Sequence, residues 1–255
     1  MKSVLIMFSS LIIMNQAVAA DKILRLKSDP WCPFNCEDKA KNLGIVVDIA
    51  KTILEKKGYK VDYQNVNFAR ALKETRSGEN DGIAGCGKED APDFIFPEVP
   101  QTETTYNYFA LSESKFNYKN ISSVAGHKIG VINSYSYDKE TTDEIQKKNP
   151  SFVVVSGDAG LAQLIKMLDS KHIDAIVESG AVFSNYLIDK KIDIKKYKFV
   201  GAPVQEPQQL FICLSPKLAK SKEIAKLITD GMKELKKSGE LNKIIQKYNL
   251  KEWKK

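Results

Sequence analysis

Arginine is nearly missing from this chain. Of 39 basic residues, only Arg25, Arg70 and Arg76 carry a guanidinium. The forked guanidinium is the side chain suited to phosphate and nucleic acid. The formal charge of +7 therefore rests on scattered lysines, and no nucleic-acid partner is expected. Histidine is scarcer still, with His127 and His172 alone and neither near a cysteine in sequence. No metal motif, phosphate loop or nucleophile elbow is present, so no metal and no cofactor is expected. Past the N-terminus, no segment approaches the roughly 18 apolar residues of a membrane span.

The N-terminus reads as a targeting segment. Met1-Lys2 is a short positive start, Val4 to Met14 is mostly apolar, and Ala17-Val18-Ala19-Ala20 offers small residues for cleavage. Residues 1–20 are thus expected to be a signal peptide, with a periplasmic mature chain starting at Ala20 or Asp21. Losing Lys2 lowers the charge by one. The four cysteines, Cys32, Cys36, Cys86 and Cys213, all survive maturation. An exported chain with an even cysteine count usually pairs them. Cys32 and Cys36 are close enough to staple one loop; a redox pair would have two intervening residues, and this has three.

Apolar periodicity predicts alternating strands and helices. Strands are expected at 23–27, 61–66 and 82–86, with helices at 46–57 and 68–77, Gly58 closing the first. A second series follows, with strands at 128–132, 152–155 and 174–177. Its helices are expected at 137–148, to about Leu168 with Asp158 as cap, and at 181–189. Residues 210–214 are apolar again, and terminal helices are expected at 221–237 and 241–248. This βα alternation implies mainly parallel sheets covered by helices. Extended connectors are expected near 106–111 and 200–209, where Pro203 and Pro207 block helix.

Several of these pieces are similar to the bacterial extracellular solute-binding proteins of family 3. They are Gly44-x-x-x-Asp48 opening a helix, Phe68-Ala69-Arg70-Ala71-Leu72 followed by Gly78-x-x-Asp81, and Gly126-His127-Lys128-Ile129-Gly130-Val131. Ile173-Asp174-Ala175-Ile176-Val177 and Gly239-Glu240-Leu241 through Lys247-Tyr248 complete the set. The resemblance implies an α/β, type II periplasmic-binding-protein fold. Two lobes, each a mainly parallel sheet flanked by helices, would be joined by two extended hinge segments. Lobe 1 would comprise 21–110 and 206–255, and lobe 2 would comprise 111–205. It further implies a monomer that captures a small-molecule solute by hinge closure, with an ABC transporter permease as partner. In this fold type the Cys86 and Cys213 strands are neighbours, which implies a second disulfide; two buried thiols are the alternative.

Ligands in open α/β sheets sit beyond the carboxyl ends of the strands. Those ends are 28–35, 67–70, 85–90, 133–137 and 178–179. By resemblance, Trp31 and Phe68 fall where aromatic rings sandwich the ligand. Asn133-Ser134-Tyr135-Ser136 falls at a loop whose N–H groups and hydroxyls favour an anion, with Ser134, Tyr135 and Ser136 as contacts. Simple helix capping by Ser134 or Ser136 is the structural alternative.

The chain departs from the amino-acid-binding pattern at two places. The arginine that clamps a ligand carboxylate is replaced by Gly87-Lys88-Glu89-Asp90, and no arginine follows Arg76. The aspartate for the α-amino group falls at Ser179, with Glu178 one place earlier. Arg70 becomes the expected anion clamp, against a surface ion pair as alternative, with Lys88 second. Together with Glu178 these suit an anion, a zwitterion or a polar aromatic. Two other functions stay open: a cyclic-acid dehydratase on this scaffold with Glu178 as general acid, and a ligand-responsive accessory or sensor protein.

Overall fold

The computed structural model describes residues 22–250; the expected signal peptide lies outside them. Leu24, Leu26 and Ser28 alternate inward along β1 (Lys22–Ser28). Apolar residues at 45, 46, 49, 50 and 53 give α1 (Ile45–Leu54) one buried face, and a 3₁₀ turn carries the chain to Gly58, whose φ is 78°. Next come β2 (Tyr59–Asn65), α2 (Phe68–Ser77), β3 (Gly82–Cys86) and β4 (Thr102–Thr104). Asn67 caps α2, its side chain accepting the Arg70 N–H, and Gly78 closes it with φ 87°.

A second sheet begins with β5 (Tyr106–Leu111), followed by β6 (Ile129–Ile132), α3 (Lys139–Gln146), β7 (Phe152–Val155) and α4 (Gly160–Asp169). Then come β8 (Ala175–Ser179), α5 (Gly180–Asp189) and β9 (Tyr197–Phe199), before β10 (Gln208–Leu214), α6 (Ser221–Ser238) and α7 (Glu240–Gln246). The strand orders are β2-β1-β3-β10-β4 and β7-β6-β8-β5-β9. In each sheet three neighbouring strands at one edge are parallel, and the fourth, β10 or β5, runs antiparallel to the strands on both its sides. This is the two-sheet α/β architecture expected from the sequence.

The chain crosses between sheets around residue 105 and returns between β9 and β10. The segment 106–111, read from sequence as a connector, is a full strand of the second sheet, paired with β8 and β9. β10, α6 and α7 come back to the first sheet. The Tyr248 hydroxyl accepts the Gly44 N–H at 2.8 Å and donates to Asp48 at 2.7 Å, fixing the C-terminus on α1. Gly44 itself has φ 107°, and a Cβ there would lie 2.5 Å from the Phe34 carbonyl oxygen, so this close approach admits only glycine.

Two expected caps are not seen. Ala159, not Asp158, precedes α4; a carboxylate one residue too early misses the N–H groups it would have to accept. Asp138 caps α3 by accepting the Thr141 N–H at 3.1 Å, so neither Ser134 nor Ser136 does. Both disulfides form, Cys32–Cys36 and Cys86–Cys213. The second joins β3 to β10 within the first sheet, as the resemblance implied.

Candidate functional site

The loops after β1, β3, β6 and β8 all open into the space between the two sheets. Each delivers a carboxylate or a ring. After β1 come Asp29 and Trp31. At the start of α2 stands Phe68, and after β3 stands Asp90. The turn after β6 presents Tyr135 and Ser136, and Glu178 is the penultimate residue of β8.

The lobes touch through these groups. Trp31 Nε1 donates to Glu178 Oε1 at 2.9 Å. The Ser136 N–H donates to Asp90 Oδ1 at 3.0 Å, while the Gly87 N–H holds Asp90 Oδ2 at 2.7 Å. The Tyr135 hydroxyl donates to Asp29 Oδ2. The Thr104 hydroxyl donates to the Ser179 hydroxyl at 2.8 Å. These bonds draw the cleft closed across its inner end.

Among the described residues, no cation stands beside the three carboxyls that lie between the lobes. Burial raises Asp29 to about 6, opposed by the Tyr135 hydroxyl. Burial raises Asp90 to about 6, opposed by the Gly87 and Ser136 donors. Burial raises Glu178 to about 8 against the bonds from Trp31 and Ser179. Glu178 is wholly buried, and its Oε2 has no partner, nor does Oε1 of Gln208.

Aromatic rings complete the walls. The Tyr135 ring meets Phe68 edge-on at 5.4 Å between centroids and Trp31 edge-on at 6.2 Å. Tyr106 lies 6.4 Å from Trp31. Asp29, Trp31, Phe68, Asp90, Tyr106, Tyr135 and Gln208 border a small inner void of about 20 Å³. Outside it, a cleft of about 700 Å³ runs between the 29–42 and 67–69 segments of one lobe and the 156–162 and 185–190 segments of the other. The inner void is lined by no lysine or arginine. A pocket of carboxylates, unpartnered acceptor oxygens and ring faces fits a cation carrying N–H donors.

Of the residues singled out from sequence, the structure brings together Trp31, Phe68, Tyr135, Ser136 and Glu178. Ser136 contributes its backbone N–H, and the anion on that N–H is the protein's own Asp90. Ser134 is exposed with φ 66° and borders neither cavity. Arg70 lies on the outer face of α2, paired with Glu74 and 59% exposed. Lys88 is exposed, its Nζ 5.2 Å from the centre of the Phe211 ring. Neither cation borders a cavity. Asp29, Asp90, Tyr106 and Gln208 border the inner void as well and were not among the residues singled out from sequence. Asp29 carries the clearest available signal, an acid two residues before Trp31 at a strand's carboxyl end.

Comparison with known proteins bears on the fold. Residues 24–91 match the model of the bacterial extracellular solute-binding proteins, family 3, the family resemblance seen in the sequence. The chain is 22% identical over 240 residues to a protein of Neisseria gonorrhoeae named probable histidine-binding protein, covering 91% of this chain and 84% of that one. It is 24% identical over 220 residues to the L-cystine-binding protein TcyA of Bacillus subtilis (strain 168), covering 85% and 76%. The crystal structure of the arginine-, lysine-, histidine-binding protein ArtJ from Geobacillus stearothermophilus superposes with a TM-score of 0.74. That match has 19% identity over 91% of this chain and 97% of that one. The two-lobed architecture is therefore that of the periplasmic binding proteins.

Proposed function

We propose that this chain, with the family 3 pattern over residues 24–91 and the binding-protein fold throughout, is a solute-binding protein that feeds an ABC transporter. Its relatives are named as binding proteins, not enzymes, and the site fits that role. Glu178, the one candidate general acid, is held by Trp31 and the Ser179 N–H and is bonded to no second acid. Residues from both lobes wall the cleft, so a solute between them favours the closed state by contacting both.

The solute is an organic cation. The observation that carries this is Asp29 and Asp90 lining the inner void among aromatic rings, with Glu178 buried behind Trp31 and no lysine or arginine among the described lining residues. A carboxylate placed there would meet three acids and no counter-charge. A cation finds ring faces and carboxylate oxygens, which attract it in a water-poor site. The proposed contacts are Trp31, Phe68, Tyr135, Asp29 and Asp90, which line the void, with Glu178 holding Trp31 from behind. Titration calorimetry with amines and carboxylates of matched size tests this. Heat from amines alone supports it, and heat from carboxylates alone overturns it.

A further inference from the structure

Tyr135 stands where a solute would have to go. Its ring packs edge-on against both Trp31 and Phe68, and its hydroxyl donates to Asp29. With Asp29, Trp31 and Phe68 it borders both the inner void and the outer cleft, so its side chain is part of the partition between them. The inner void of about 20 Å³ has room for roughly one water, so with Tyr135 in place no organic solute reaches Asp90 or Gln208. The adjoining cleft of about 700 Å³ has ample room for a displaced phenol ring. The turn that carries Tyr135 is exposed at Asn133 and Ser134, and the ring, half-buried, packs at the edge of the core beside Tyr137.

What Tyr135 does in this seat defines what can replace it. It supplies a flat ring to Trp31 and Phe68, and one hydrogen-bond donor to a carboxylate. The same seat leaves Gln208 Oε1 unpartnered and Asp90 just behind it. Building on the organic-cation reading above, we propose that Tyr135 is an internal surrogate for the solute, and that the solute is a ring-bearing amine. Its ring takes the place of the Tyr135 ring, its ammonium donates to Asp29, Asp90 and Gln208, and Tyr135 swings into the outer cleft. A quaternary ammonium, having no N–H, leaves those acceptors unsatisfied, and an acyclic amine leaves the ring seat unfilled.

The test uses 2-phenylethylamine as probe, with 3-phenylpropionate and n-hexylamine as controls, on the mature chain and on Tyr135→Ala and Tyr135→Phe. Wild type binds 2-phenylethylamine more tightly than n-hexylamine and does not bind 3-phenylpropionate. Tyr135→Ala, with nothing to displace, binds the probe about tenfold more tightly, the worth of one hydrogen bond to a charged acceptor. Tyr135→Phe, which keeps the ring but frees Asp29, falls between and guards against a folding defect in the alanine variant. Unchanged or weaker binding of the probe by both variants overturns the surrogate role and makes Tyr135 an ordinary contact. Equal binding of n-hexylamine and the probe overturns the ring while leaving the cation reading intact. Binding of 3-phenylpropionate alone, or of no amine, overturns both.

Discussion

Glu178→Gln tests the electrostatics of the cleft without a ligand. The Glu178 carboxyl is wholly buried and raised from 4.5 to about 8, chiefly by burial. The unfolded chain releases this proton above about 4.5, whereas the folded chain keeps it to about 8. Between those values the unfolded state gains on the folded one by about 1.4 kcal/mol per pH unit. The stability that Glu178 contributes is therefore whole below 4.5 and lost progressively as pH rises to 8. Glutamine keeps an acceptor for the Trp31 and Ser179 N–H groups and cannot ionise. At pH 7 the variant should be about 3 kcal/mol more stable than wild type, or about 6–12 °C in Tm for a chain of this size. Asp29 and Asp90 titrate the same way but finish near 6. Urea unfolding at pH 6, 7 and 8 isolates Glu178: wild type weakens across the window and Glu178→Gln stays level. A variant that keeps the wild-type slope, or is less stable at pH 7, would refute the reasoning, because Glu178 would then be ionised against an unseen counter-charge.

Arg70→Ala should leave amine binding unchanged and alter stability by less than about 1 kcal/mol, since its exposed pair with Glu74 is worth little; a loss of affinity in calorimetry would put Arg70 in the site. Replacing Cys86 and Cys213 together by alanine should cost about 4–5 kcal/mol in urea unfolding, because this bridge closes a span of 127 residues. A cost under about 1 kcal/mol would show that the first sheet holds β10 without it.

Elements with a chemical stop at each end were legible in the sequence. The helix 68–77 is an example: Asn67 accepts the Arg70 N–H at its start, and Gly78 takes a left-handed φ at its end. Both are short-range chemistry. β5 was missed as a sheet strand because its partners are far away, with Phe109 opposite Ile176 and Phe199; its apolar run fits a connector equally well. Glu178 was legible because it closes an apolar strand, though its aim at Trp31 depends on a residue 147 positions away. Asp29 offered only its place two residues before Trp31 at a strand's carboxyl end, and Asp90 offered no signal. They are loop acids with no periodicity, and what makes them site residues is Tyr135 and Ser136, brought from 106 and 46 positions along the chain.

The scarcity of arginine and the raised carboxyls of the cleft are two faces of one design. Asp81 is the internal control. Its side chain is nearly inaccessible, at 1% exposure, and burial by itself would raise it. Yet it receives the side chains of Arg25 and Lys220, and the net effect is to hold it below the usual carboxylate range. Asp90, Asp29 and Glu178 receive only neutral donors, from backbone N–H groups, a tyrosine hydroxyl and an indole, and all three are raised. Neutral donors hold a carboxylate in place without cancelling its charge, so the cost of burying it persists until a cation arrives. A chain of net charge +7 with lysines over its surface has no shortage of cations to spend. Lys41 and Lys190 border the outer cleft, but among the described residues no lysine or arginine lines the inner void, which leaves the counter-charge there to be supplied by the solute.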